Sequence, residues 1–61
     1  MAFQVNSKVR TNQTDEKGLI VKTFYDPITN KKKYVVQFSD NKIKVFDEEE
    51  IRNAEGVFRI F

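Results

Sequence analysis

The sequence predicts an all-β fold, a small five-stranded antiparallel barrel with one short helical or 3₁₀ turn before the last strand. Three observations predict it. Short runs alternate apolar with polar residues, the period of a half-buried strand. Turn-forming residues recur about every eight to twelve positions. The apolar run Leu19 to Tyr25 is rich in β-branched and aromatic residues and too short to be convincing as a helix.

The first segment, residues 3–11, places apolar side chains at Phe3, Val5 and Val9 and polar ones at Gln4, Asn6, Lys8 and Arg10, a strand buried on one side. Asn12 to Gly18 is polar and ends in glycine, a surface loop. Leu19 to Tyr25 has apolar residues on both parities, as in a strongly bent strand, with Ile20 the first choice for its inward face. Asp26-Pro27-Ile28-Thr29-Asn30-Lys31 is a turn: proline presets φ, Asp26 accepts backbone hydrogen bonds, and Asn30 tolerates the left-handed region.

Lys33 to Phe46 reads as two strands joined at Asp40-Asn41, residues suited to the positive φ angles of a two-residue hairpin turn. That turn sets Phe38 opposite Ile43, Val36 opposite Val45 and Val35 opposite Phe46. One face, with Tyr34, Val36, Phe38, Ile43 and Val45, becomes a core wall; the other carries Lys33, Val35, Gln37, Lys42, Lys44 and Phe46. Asp47 to Ala54 reads as one helical or 3₁₀ turn with Asp47 as N-cap, acids at its positive end and Ile51 plugging the core. Gly56 then precedes a final strand, Val57 to Phe61.

A chain of 61 residues is expected to be one domain, 1–61. At this size only about 60% of the unfolded chain's surface is buried, so the core is thin. The absence of cysteine and histidine excludes a disulfide and any thiolate or imidazole metal site. Adjacent carboxylates from Asp47 to Glu50 splay from a short turn, which favours a capped, solvated turn over a cation site. No cofactor is expected. No apolar run approaches the roughly 20 residues of a membrane span, and the N-terminus lacks a signal-peptide apolar segment. The expectation is a soluble cytoplasmic protein, and abundant Lys and Asn point towards an AT-rich bacterial or phage genome. Net charge is +2, unevenly placed: residues 1–46 carry nine Lys and Arg against four Asp and Glu, and residues 47–61 two against five. Such asymmetry allows a basic face on a nearly neutral molecule, a pointer to polyanions, although the need of a small domain for charge to stay in solution is the leading explanation.

The order of elements resembles the SH3-like barrels, and among them the Tudor-like group. The resemblance rests on Ser7-Lys8-Val9-Arg10, Lys17-Gly18-Leu19-Ile20, Tyr34 to Asp40, and Ile43-Lys44-Val45-Phe46 followed by the acidic turn and Ile51, and it covers nearly the whole chain. Tudor-like readers of methylated side chains hold the cation among aromatic rings. Only Phe38 matches such a position here; Arg10, Thr11, Asp15, Glu16 and Lys44 stand at the others, so the cage is not built. The plasmid-borne type of dihydrofolate reductase is similar in fold and carries Val-Gln-Ile-Tyr on its fourth strand. Ile43-Lys44-Val45-Phe46 lacks that glutamine and that tyrosine hydroxyl, which argues against the activity. With no His, Cys or glycine-rich loop, and no base beside the Ser and Thr residues, the chain is expected not to be an enzyme.

The chain is expected to be a binding module, with nucleic acid placed narrowly ahead of protein as its partner. SH3-like barrels of bacterial ribosomal and transcription proteins, and the C-terminal domains of retroviral integrases, hold nucleic acid on such sheets. In that reading Lys33, Lys42 and Lys44 contact phosphates, Gln37 hydrogen-bonds, Phe46 stacks a base, and Lys22, Lys31 and Lys32 extend the patch. The alternative is a protein-interaction module or small homo-oligomer using Val35, Phe46, Val57 and Phe61, the last two left over once Phe58 and Ile60 face inward.

Overall fold

A computed structural model describes residues 3–54. Five strands form in chain order, β1 (Lys8–Thr11), β2 (Lys17–Asp26), β3 (Lys31–Phe38), β4 (Ile43–Asp47) and β5 (Ile51–Asn53), with a 3₁₀ turn over Glu48–Glu50 between the last two. The strands lie in the order β4-β3-β2-β1-β5, each antiparallel to its neighbours. The predicted all-β antiparallel class, with a 3₁₀ turn ahead of the last strand, is the one observed. Among the described residues the sheet is open rather than closed into a barrel, with β4 and β5 as its edges. No helix among the described residues is long and apolar enough to cross a membrane.

Local chemistry explains most of the elements. The β2–β3 turn forms as its residues dictate: the Ile28 N–H donates to Asp26 Oδ1 (3.0 Å), the Asn30 N–H donates to the Asp26 carbonyl (2.8 Å), and Asn30 sits at φ 59°. The two apolar parities of β2 are reconciled by a β-bulge, because the register with β3 shifts between Ile20 and Lys22. Ile20 points inward and is fully buried, while Val21 and Lys22 are both exposed. Gly18 lies within β2 and is buried, not at the end of a surface loop.

Three parts of the predicted layout are corrected. Strand β1 begins only at Lys8, because Asn6 takes φ 76° and the Ser7 N–H donates to the Gln4 carbonyl, a turn that leaves Val5 exposed. The strand after the acidic turn starts at Ile51, where Ile51, Arg52 and Asn53 pair with Thr11, Arg10 and Val9 of β1. The strand expected at Val57 to Phe61 lies outside the described residues.

The third correction moves side chains from one face to the other. Val35 pairs with Val45, Val36 with Lys44, Tyr34 with Phe46 and Gln37 with Ile43, one residue away from the predicted register. The cause is the turn. A two-residue turn of the expected kind needs positive φ at both centres. Only Asn41 adopts it (φ 69°), whereas the Asp40 carboxylate accepts the Lys42 N–H at 3.2 Å. The Asn41 N–H donates to the Phe38 carbonyl (2.9 Å) and the Phe38 N–H to the Lys42 carbonyl (2.8 Å). Ser39-Asp40-Asn41 therefore forms the loop, a turn closed by a left-handed residue. Because side chains alternate, a slip of one residue turns the whole of β4 over.

The core is correspondingly small: Val9, Ile20, Tyr34, Val36, Phe38 and Ile51 are buried, with Phe3 and Phe46 packed against them. Each buried side chain of this kind contributes about 1.5–3 kcal/mol. Ile51 is the plug its position after the acidic turn suggested. Ile43 and Val45, expected in this wall, are not part of it.

Candidate functional site

Directly paired residues in an antiparallel ladder project from the same side of the sheet, so the pairings map the face opposite the core row by row. One row runs Lys8, Leu19, Gln37, Ile43. The next joins Lys22, Val35 and Val45, with bulged Val21 beside them, and the third joins Phe24, Lys33 and Asp47. On the other flank Arg52, Arg10 and Lys17 make a further row. We refer to this surface as the outer face.

Its centre is apolar. Ile43 is 58% exposed, Val45 52% and Phe24 42%, with Leu19 and Val35 half-buried between them. An open, mainly apolar depression of about 350 Å³ adjoins it, lined in part by Lys8, Lys17, Leu19, Gln37 and Phe38. Cations stand along one side. Lys8, Lys17 and Lys22 are exposed and make no ion pair among the described residues. Arg10 and Arg52 converge on Asp15, which is held at φ 62° and offers its carbonyl to Arg10 Nη1 at 2.8 Å and its carboxylate to both guanidinium groups.

The residues expected to bind nucleic acid do not share one surface. Lys33, Gln37 and Lys22 project from the outer face, as does Val35. Lys33 is neutralised by an ion pair with Asp47, and this hydrogen bond raises the Lys33 pKa above its ordinary value. Gln37 Nε2 lies 3.4 Å from Asn41 Oδ1. Lys31 stands 3.9 Å from Glu49, and Lys42, just after the β3–β4 loop, lies 3.8 Å from Asp40. Lys32 is on the core side, its Nζ 5.7 Å from the centre of the Tyr34 ring. Lys44 also has core-side parity, opposite buried Val36, and stays exposed because β4 is an edge. Phe46 turns inward to meet Phe38 edge-to-face, with ring centres 6.1 Å apart, so neither base stacking nor the outer apolar pair with Val35 is available to it. Val57 and Phe61 lie outside the described residues.

The acidic turn is organised by its neighbours. Asp47 and Glu50 form a capping box, in which the Asp47 N–H donates to Glu50 Oε1 (2.8 Å), and the Asp47 carboxylate also pairs with Lys33. Acids at the end of β4 and in the turn after it thereby pair with Lys33 and Lys31 of β3. The sequence reading missed Ile43, Val45, Leu19 and Phe24 as surface residues, and Lys8 and Lys17 as the unneutralised cations beside them. The signal for the first pair was the preference of Asn41 for a left-handed position at the end of a longer loop. No protein-family model, characterised protein or solved structure matches the chain.

Proposed function

We propose that this chain is a non-enzymatic binding module of SH3-like, Tudor-like architecture, working in the cytoplasm, that docks another protein on its outer face. The architecture is supported by the antiparallel strand order, the bulged β2 and the 3₁₀ turn leading into the last strand. One observation carries the function: the β3–β4 register turns Ile43 and Val45 outward beside Val35 while Lys33 is neutralised by Asp47. Exposed aliphatic side chains grouped in this way gain most from covering by another apolar surface. The nucleic-acid reading retains one favourable observation, the unneutralised Lys8, Lys17 and Lys22 on the same face.

Photo-crosslinking separates the two. With p-benzoylphenylalanine in place of Val45, irradiation in cell extract yields a discrete protein adduct that Ile43→Asp abolishes; the same group in place of Ile28, exposed on the β2–β3 turn, yields none. Adducts formed equally from both positions, or nucleic-acid adducts from position 45, contradict the proposal.

A further inference from the structure

We infer that the occupant of the outer face is an amphipathic α-helix of a partner protein, its apolar stripe on Leu19, Val35, Ile43 and Val45 and an acidic flank over Lys8, Lys17 and Lys22. The inference rests on the outer face being the docking surface.

Three arguments select a helix with that charge. The first is backbone satisfaction. A sheet face presents side chains and no free N–H or C=O groups, so a segment laid across it must satisfy its own backbone hydrogen bonds, and a helix does this within itself. An extended segment would instead pair along a sheet edge; β4, the edge beside Ile43 and Val45 among the described residues, carries Lys44, a charge with core-side parity in mid-strand that opposes such pairing.

The second argument is size. Adjacent strands lie about 4.8 Å apart, so the surface from β2 across β3 to β4, apolar at Leu19, Val35, Ile43 and Val45 with Gln37 between Leu19 and Ile43, is about 10 Å wide, close to the 10–12 Å diameter of a helix with its side chains. The depression bordered by Lys8, Lys17 and Leu19 adjoins that surface, with room for one apolar anchor.

The third argument is charge complementarity. Lys8 stands in the same row as Leu19 and Ile43, and Lys22 in the same row as Val35 and Val45, so ammonium groups border that surface on one side. Arg10 and Arg52, sharing the single carboxylate of Asp15, leave that flank positive as well. Glu or Asp along one edge of an apolar helical stripe meets these charges; Lys or Arg there is repelled. Nucleic acid fits less well, because Leu19, Val35, Ile43 and Val45 neither stack on bases nor hydrogen-bond to them.

The test uses defined probes observed by ¹⁵N-resolved NMR and fluorescence anisotropy on the full chain. The probes are a helix-stabilised peptide of about 18 residues with leucines spaced as one stripe and a glutamate flank, the same peptide with a lysine flank, an oligothymidine and phosphatidylserine vesicles. The inference expects the glutamate-flanked peptide to bind at least about tenfold more tightly than the lysine-flanked one, with the largest shifts at Leu19, Val35, Ile43 and Val45. Val45→Asp removes binding. Lys8→Glu with Lys17→Glu and Lys22→Glu inverts the preference, and since all three lysines are exposed the variant keeps its dispersed spectrum.

Equal binding of the two peptides, shifts elsewhere on the molecule, or a preference unchanged by the triple charge reversal overturns the inference. So does occupation of the same residues by oligothymidine, by vesicles, or by a second copy of the chain in a concentration series without probe. If both peptides fail while the Val45 crosslink still captures a protein, the helix is refuted and the docking face stands.

Discussion

A methyl group at Gly18 would overlap Val36 Cγ1 and press on the Gln37 carbonyl oxygen and Phe38 Cδ1, each at 3.1 Å. Val36 is fully buried and β-branched, so it has little freedom to turn away. Gly18→Ala is therefore expected to lower stability by about 1–3 kcal/mol, read as a reduced urea midpoint at unchanged slope. An unchanged midpoint would mean that β2 and β3 do not approach as closely as described. In the sequence this glycine looked like the end of a polar loop, because a glycine that breaks a pattern and one that admits a neighbouring side chain are written identically. Asp26 and Asn30 were legible for the opposite reason: each acts on backbone groups within a few residues of itself. Asp40 and Asn41 marked their turn but left its length open. Asp40 takes the local carboxylate-to-amide bond and Asn41 alone takes the left-handed position, a division of labour that residue type does not decide.

That single difference of loop length propagates to the element. Strand β4 was recognisable from the alternation of Ile43, Lys44, Val45 and Phe46, yet alternation fixes only that Ile43 and Val45 share a side and not which side it is. With the observed register, Lys44 holds a charge opposite Val36 at the sheet edge, and Phe46 replaces the expected aliphatic pair against Phe38. Edge strands are commonly protected by a charge of this kind, since a pairing chain would have to cover it. Lys44→Val is accordingly expected to make the protein self-associate at micromolar concentration, seen in sedimentation velocity as a mass that rises with loading. A variant that stays as monodisperse as the parent would show that β4 is protected by something other than Lys44. The acidic turn was readable as an element, with Asp47 at its start and Ile51 in the core, because capping and plugging are both set by near neighbours. The ion pairs that its acids make with Lys31 and Lys33 span the β3–β4 hairpin and were not readable.

For the whole molecule, the uneven distribution of charge along the chain allowed a basic surface, and the fold redistributes the charge. The dense run Lys31-Lys32-Lys33 is largely spent on Glu49, the Tyr34 ring and Asp47, whereas Lys8, Lys17 and Lys22 are placed on one face of β1 and β2. Proximity in sequence was a poor guide to this surface because the cations that share a face come from strands paired across the sheet. The outer face, its apolar residues and the partner proposed for them all depend on the β3–β4 register, which makes that register the claim to test first. In an antiparallel ladder the residues of non-hydrogen-bonded pairs bring their Hα atoms close together, with Cα atoms about 4.5 Å apart. Since the Phe38 N–H bonds to the Lys42 carbonyl, the non-hydrogen-bonded pairs are Gln37 with Ile43 and Val35 with Val45. Nuclear Overhauser spectroscopy of the labelled protein is predicted to show strong Hα–Hα contacts for those two pairs. Strong contacts between Phe38 and Ile43 and between Val36 and Val45 would contradict the account, returning Ile43 and Val45 to the core and removing the proposed docking face.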